Sequence, residues 1–186
     1  IYIHKSGLGR FATHQYDLCG DPSDLQMHLT NFSLNKVSND FISCNENVES
    51  IENSKWSLDF LLNYFKSLSI DIEKLMKDIE KVVISSLIGG VCQIRRHHQN
   101  LIKHPHTSYE VYGFDILLDE KLKPYVIEIN ISPSMCADSL LDKKLKEDLL
   151  ADLIKMARIV DSDCTSNFQN LGPCPGIDMY DSECEK

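Results

Sequence analysis

The stretch GFDILLDEKLKPYVIEIN, Gly113 to Asn130, reads as two apolar strands around a polar turn, yet it carries Asp115, Glu128 and Asn130 inside the strands. Side chains alternate across a strand. With strand one at Tyr109–Leu118, strand two at Pro124–Ile131 and Asp119 to Lys123 as the turn, Asp115 and Leu117 share one face. Ile116 and Leu118 share the other. Val126, Glu128 and Asn130 fall on one face of the second strand, and Tyr125, Ile127 and Ile129 on its opposite face. A turn centred between Lys121 and Leu122 sets Asp115 directly opposite Glu128, Ile116 opposite Ile127 and Leu118 opposite Tyr125. The expected hairpin then has one apolar core face and one acidic face.

Two carboxylates directly across a ladder repel each other. A divalent cation would compensate them. Oxygen-only donors with an amide alongside suit Mg2+, which takes one or two carboxylates together with substrate phosphates. A solvated strand face with two coincidental acids would show the same spacing, so both readings stand on spacing alone. Zinc does not fit, because the cluster holds no Cys or His.

The rest of the 186 residues bounds the answer. Hydrophobic residues make up 42%, enough for one core and a tail. A net charge of −9 argues against a nucleic-acid binder. The charge is uneven: residues 161–186 carry six acids against Lys186 alone, and we expect that segment to be a disordered acidic tail. Seven cysteines without a CxxC pair read as free thiols in a reducing compartment. No apolar run is long enough to cross a bilayer, and no membrane partner is expected. The first residue is Ile1 and the chain opens as a strand, so a piece of a longer protein is expected.

Residues 1–13, IYIHKSGLGRFAT, read as a hairpin with its turn at Ser6-Gly7. Residues 14–54 are polar and irregular, and loops of that length in a compact domain are usually functional or mobile. A helix is expected from Trp56 to Leu68, and a second one capped by Asp71. The apolar residues Ile72, Leu75, Met76, Ile79, Val82, Val83 and Leu87 keep a 3.6 period, and Gly89-Gly90 should end it. Residues 91–108 hold Arg95, Arg96, Lys103, His97, His98, His104 and His106, a basic face suited to acidic partners. A last helix is expected over Leu140–Val160.

Five segments in order, GLGRFAT (Gly7–Thr13), HLTNFSLNK (His28–Lys36), KWSL (Lys55–Leu58), GFDILLD (Gly113–Asp119) and KPYVIEINISPSM (Lys123–Met135), resemble the tubulin tyrosine ligase-like family. They are most similar to its polyglutamylase branch, near the fourth member, over roughly residues 1–160. The resemblance implies an α+β architecture: part of an ATP-grasp fold, an antiparallel sheet with packed helices, without its upstream lobe. It implies an ATP- and Mg2+-dependent ligase in which an acceptor glutamate side chain is phosphorylated and then attacked by the amino group of free L-glutamate.

By the same resemblance Asp115, Glu128 and Asn130 match the magnesium ligands, and Thr30 and Asn31 match positions that contact ATP. Arg10 matches the arginine that holds the incoming glutamate, where a guanidinium fork suits a carboxylate. Phe32, Ser33 and Lys55 match other positions of that pocket, and Arg10 and Lys55 are the candidate catalytic pair. Phe32 departs from the usual Tyr and lacks its hydroxyl; Gly9 replaces a more usual Val or Ala. Expected partners are tubulin C-terminal tails and microtubules, with a monomeric protein in the cytoplasm and cytoskeleton, including cilium or basal body. A ligase for glycine or tyrosine, or a non-catalytic microtubule-binding piece, are the rival expectations. The lysines and glycine-rich loop of the nucleotide lobe do not occur in these residues, so the 186 residues alone are expected to be inactive.

Overall fold

The computed structural model describes residues 1–38, 40, 42, 50–101 and 109–157, and the backbone of 168–170. It is a mixture of helices and short antiparallel pairs, as expected. The chain divides into two compact units, residues 2–68 with 136–170, and residues 69–135.

In the first unit, β1 (Tyr2–His4) and β2 (Leu8–Arg10) do not pair with each other, contrary to the expected opening hairpin. β2 runs antiparallel to β3 (Lys55–Ser57), with Gly9 opposite Trp56 and Arg10 opposite Lys55. This distant pairing buries Trp56 and stacks its indole 4.6 Å from the Phe11 ring and 5.0 Å from that of Phe60. A local hairpin would forgo that aromatic burial. β1 instead pairs antiparallel with β6 (Phe168–Asn170). Three residues of the expected acidic tail thus form a strand, while the rest of 161–186 lies outside the described residues.

Trp56 belongs to β3, so the expected helix starts later. α3 (Leu58–Ser67) is capped by Ser57, whose hydroxyl accepts from the Phe60 amide at 3.1 Å. Two one-turn helices, α1 (Leu25–His28) and α2 (Phe32–Asn35), occupy the stretch that reads as irregular loop. Asp24 caps α1 and also accepts from His14 Nδ1 at 2.8 Å. The last helix, α5 (Leu140–Met156), is capped by Ser139. Its apolar stripe, Leu145, Leu149, Leu153 and Met156, is only half-buried; the most enclosed side chains of α5 are Asp142 and Asp152.

In the second unit, α4 runs from Ile72 to Leu101, straight through Gly89-Gly90. Asp71 caps it as expected, accepting from the Lys74 amide at 3.0 Å. Glycine costs a helix about 1 kcal/mol relative to alanine, and the flanking helix-forming residues outweigh that, so the pair does not act as a stop. Leu75 and Val83 are buried along the face that meets the hairpin.

The hairpin itself is β4 (Tyr112–Leu118) and β5 (Pro124–Ile131). Its turn is held by Asp119, whose Oδ1 accepts from the amides of Lys121 at 2.8 Å and Lys123 at 2.9 Å, while Leu122 takes φ 61°. That turn delivers the expected register at the centre: Asp115 is the partner of Glu128. Nearer the turn the register slips by one, pairing Ile116 with Val126, Leu117 with Tyr125 and Leu118 with Pro124.

The extra residue is Ile127, a bulge that reverses the facing of everything between it and the turn. Val126 and buried Pro124 come to the side of Ile116 and Leu118, and Tyr125 moves to the side of Leu117 and Asp115. The expected apolar core face is not formed as read: Ile127, at the bulge, is 62% exposed, and Ile131, beyond it in the unslipped register, is 67% exposed.

Candidate functional site

The residues singled out in the sequence fall into two sets, one in each unit. In the second unit, Asp115 and Glu128 face each other across the β4–β5 ladder, and Gly113 is the partner of Asn130. The Asn130 amide Nδ2 donates to Glu128 Oε1 at 2.9 Å. That bond turns the amide nitrogen toward the carboxylate and fixes the two side chains against each other. A Cβ on Gly113 would stand 3.1 Å from Pro133 Cβ, so glycine lets the chain after β5 fold back close to the Asn130 end of the ladder. Ser132, at φ 52°, makes that reversal, and its amide donates to Val111 O at 3.1 Å. A left-handed non-glycine residue is strained, a feature that clusters at ligand-holding positions.

This donor set fits a hard divalent cation: two carboxylates from adjacent strands and an amide oxygen, with no nitrogen or sulfur ligand among them. Among the described residues no group of three His, Cys, Asp or Glu gathers as a metal site, and this strip holds two acids and an amide. Arg95, Arg96 and His97 are exposed on the last turns of α4, so this part of the basic stretch is helical; Lys103, His104 and His106 lie outside the described residues.

In the first unit, Arg10 and Lys55 are cross-strand partners on β2 and β3, which places both cations on one face of the pair. Lys55 Nζ donates to Asp142 Oδ2 at 2.8 Å, with the lysine side chain 12% and the aspartate 4% exposed. Ser139 Oγ donates to the same Oδ2 at 2.9 Å, and the Asp142 amide donates back to Ser139 Oγ at 3.1 Å. Burial alone pushes the Asp142 carboxyl upward. The hydrogen bond and charge of Lys55, joined by Ser139 and the charge of Lys146, overcome it and hold the group below the usual carboxylate value. The sequence carried no signal for Asp142, since an acid in the first turn of a helix ordinarily only favours the dipole.

Thr30 and Asn31 connect α1 to α2, and Phe32 and Ser33 form the first turn of α2. The Asn31 carbonyl accepts from the amides of Leu34 at 3.1 Å and Asn35 at 3.0 Å. Asn35 was missed in the sequence although it lies in the quoted segment. It is 1% exposed and satisfied on both ends of its amide. Oδ1 accepts from Thr13 Oγ1 at 2.7 Å, and Nδ2 donates to Leu29 O at 2.7 Å and Asn31 O at 3.1 Å. A buried amide with every partner in place pins both ends of the Thr30-Asn31 segment and the residue three beyond Arg10.

These features, an Asp–Glu–Asn strip on a hairpin and a paired Arg–Lys ladder, accompany a family match over most of the chain. The model of the tubulin-tyrosine ligase family matches residues 1–167, and the chain belongs to that family. Among curated proteins it is 37% identical over 183 residues to tubulin polyglutamylase TTLL5 of Homo sapiens, covering 98% of this chain and 14% of that protein. It is 38% identical over 169 residues to human tubulin polyglutamylase TTLL6, covering 88% of this chain and 18% of that protein. With tubulin monoglutamylase TTLL4 of Mus musculus it shares 35% over 161 residues, 86% of this chain and 13% of that protein. The chain thus spans a small fraction of the length of these relatives.

Proposed function

We propose that this chain is the C-terminal part of the catalytic region of an ATP- and Mg2+-dependent ligase that adds glutamate to glutamate side chains of tubulin tails. The observation that carries it is the Asp115–Glu128 register with Asn130 bonded to Glu128, in a chain that matches the family over residues 1–167. Asp115, Glu128 and Asn130 would hold the magnesium ion. When bound, it would neutralise phosphate charge during phosphoryl transfer. Thr30 and Asn31 contact the nucleotide in this reading, and Asn35 keeps their backbone in place. Arg10, Lys55, Phe32 and Ser33 receive free glutamate, whose amino group attacks the activated acceptor carboxyl. An Arg and a Lys on one strand face suit an anionic amino acid better than glycine or tyrosine. The protein works as a monomer on microtubules of the cytoplasm, cilium or basal body.

The test is ATP-dependent incorporation of labelled glutamate into tubulin by the full-length protein. Full activity in an Asp115→Ala, Glu128→Ala double variant would refute the metal role. The 186 residues alone should not turn over, because they hold no glycine-rich phosphate loop. The exposed Arg95, Arg96 and His97 support a second reading, a non-catalytic microtubule-binding piece. Microtubule co-sedimentation by a full-length protein that binds no nucleotide would favour it.

A further inference from the structure

We propose that Asp142 is a positioning residue of the amino-acid pocket: from the first turn of α5 it fixes where Lys55 presents its ammonium to the carboxylate of the incoming amino acid. This rests on the proposed role of Lys55 as a pocket residue.

A lysine on a strand is a poor positioning device by itself. Its four-carbon stem is flexible, and holding it in one place costs side-chain entropy at the moment of binding. Here the stem is enclosed and the charge at its end is clamped at 2.8 Å by a carboxylate 87 positions along the chain. That carboxylate is itself held by a second bond. Oδ2 takes the Ser139 hydroxyl as well as Lys55, and Asp142's own amide closes the cap on Ser139. The first turn of a helix favours an anion, so α5 supplies a fixed negative charge on a rigid element.

The need for it comes from the ladder. Arg10 and Lys55 are direct cross-strand partners, and like charges in that position repel. Asp142 is an anion that offsets this repulsion and holds the lysine end at the ladder. An ammonium has three N–H donors, of which Asp142 engages one. A purely structural salt bridge predicts something else. Its loss would cost stability, whereas a positioning role predicts a loss of amino-acid affinity that depends on Lys55 being present.

The experiment measures KM for glutamate, kcat and Tm in the full-length protein for the wild type, Asp142→Asn, Lys55→Met, their double variant, and Ser139→Ala. Asp142→Asn should raise KM about tenfold with a smaller change in kcat, the pattern of lost ground-state positioning. In the Lys55→Met background the same change should leave KM where it is. Ser139→Ala keeps both charges, loosens the clamp and removes the cap of α5, a loss that Tm reads; it should raise KM about threefold. It also keeps the question answerable if Asp142→Asn folds poorly. Wild-type KM in Asp142→Asn or, where that variant does not fold, in Ser139→Ala would overturn the proposal. So would an undiminished KM effect of Asp142→Asn in the Lys55→Met background. Absence of any glutamate incorporation by the wild type would instead overturn the ligase reading from which this role follows.

Discussion

Replacing Asp115 by Asn should make the metal-free chain more stable and its response to Mg2+ weaker. The ladder places Asp115 directly opposite Glu128. Directly opposite Cβ atoms lie about 4.5–5.5 Å apart, and like charges there cost on the order of 0.2–1 kcal/mol. Glu128 is exposed and receives the Asn130 amide at 2.9 Å, which offsets part of that repulsion. About 0.5 kcal/mol of relief is therefore expected from an isosteric neutral side chain, or about 1–2 °C in Tm for a chain of this size. The metal reverses the sign. At ten times its dissociation constant, Mg2+ should stabilise the wild type by about 1.4 kcal/mol, and the variant, short of one carboxylate ligand, by far less. Scanning calorimetry with EDTA and then with rising Mg2+ reads both effects on one sample. A variant that is no more stable without metal, yet gains as much from Mg2+ as the wild type, would show that the two acids do not form a cation site.

Gly89→Ala should stabilise α4 by about 0.5–1 kcal/mol, because a Cβ there meets nothing within 4 Å and the residue lies inside a continuous helix. A destabilised variant in urea titration would mean that the helix stops at the glycines. Asn35→Ala should cost about 1–3 kcal/mol, since it leaves the Thr13 hydroxyl without its acceptor and takes one donor each from the Leu29 and Asn31 carbonyls; a urea midpoint equal to wild type would contradict this. The His14–Asp24 pair raises the His14 pKa, chiefly through its hydrogen bond, and lowers that of Asp24 by the same bond. The histidine's share of stability is present below about pH 6.5 and fades as pH rises through its folded value; the aspartate's is present above about pH 3.8 and fades as pH falls through its own. The stability lost in His14→Ala should therefore be larger at pH 5 than at pH 8, and equal losses would refute the coupling.

The acidic strip could be read from the chain because period-two alternation and a five-residue turn are local properties. Asp119 sets that turn from within it, and the Asp115–Glu128 register followed. The bulge at Ile127 was not visible. Nothing in VIEI differs from a regular strand; the slip sets buried Pro124 and half-buried Val126 on one side of the strand that meets α4. The glycine pair at 89–90 misled for the converse reason: a local stop signal worth about 1 kcal/mol yields to helix-forming neighbours on both sides.

By itself the sequence determined which residues carry oxygen and charge, the helical face of α4 and the family to which the chain belongs. Only the tertiary structure decided that β2 pairs with β3 rather than with β1, that Arg10 therefore stands beside Lys55, and that Asp142 reaches that lysine. Those contacts join positions far apart in the chain. Burial of Trp56 favours them, the Lys55–Asp142 bond offsets the desolvation of its two charges, and no pattern within either segment records it.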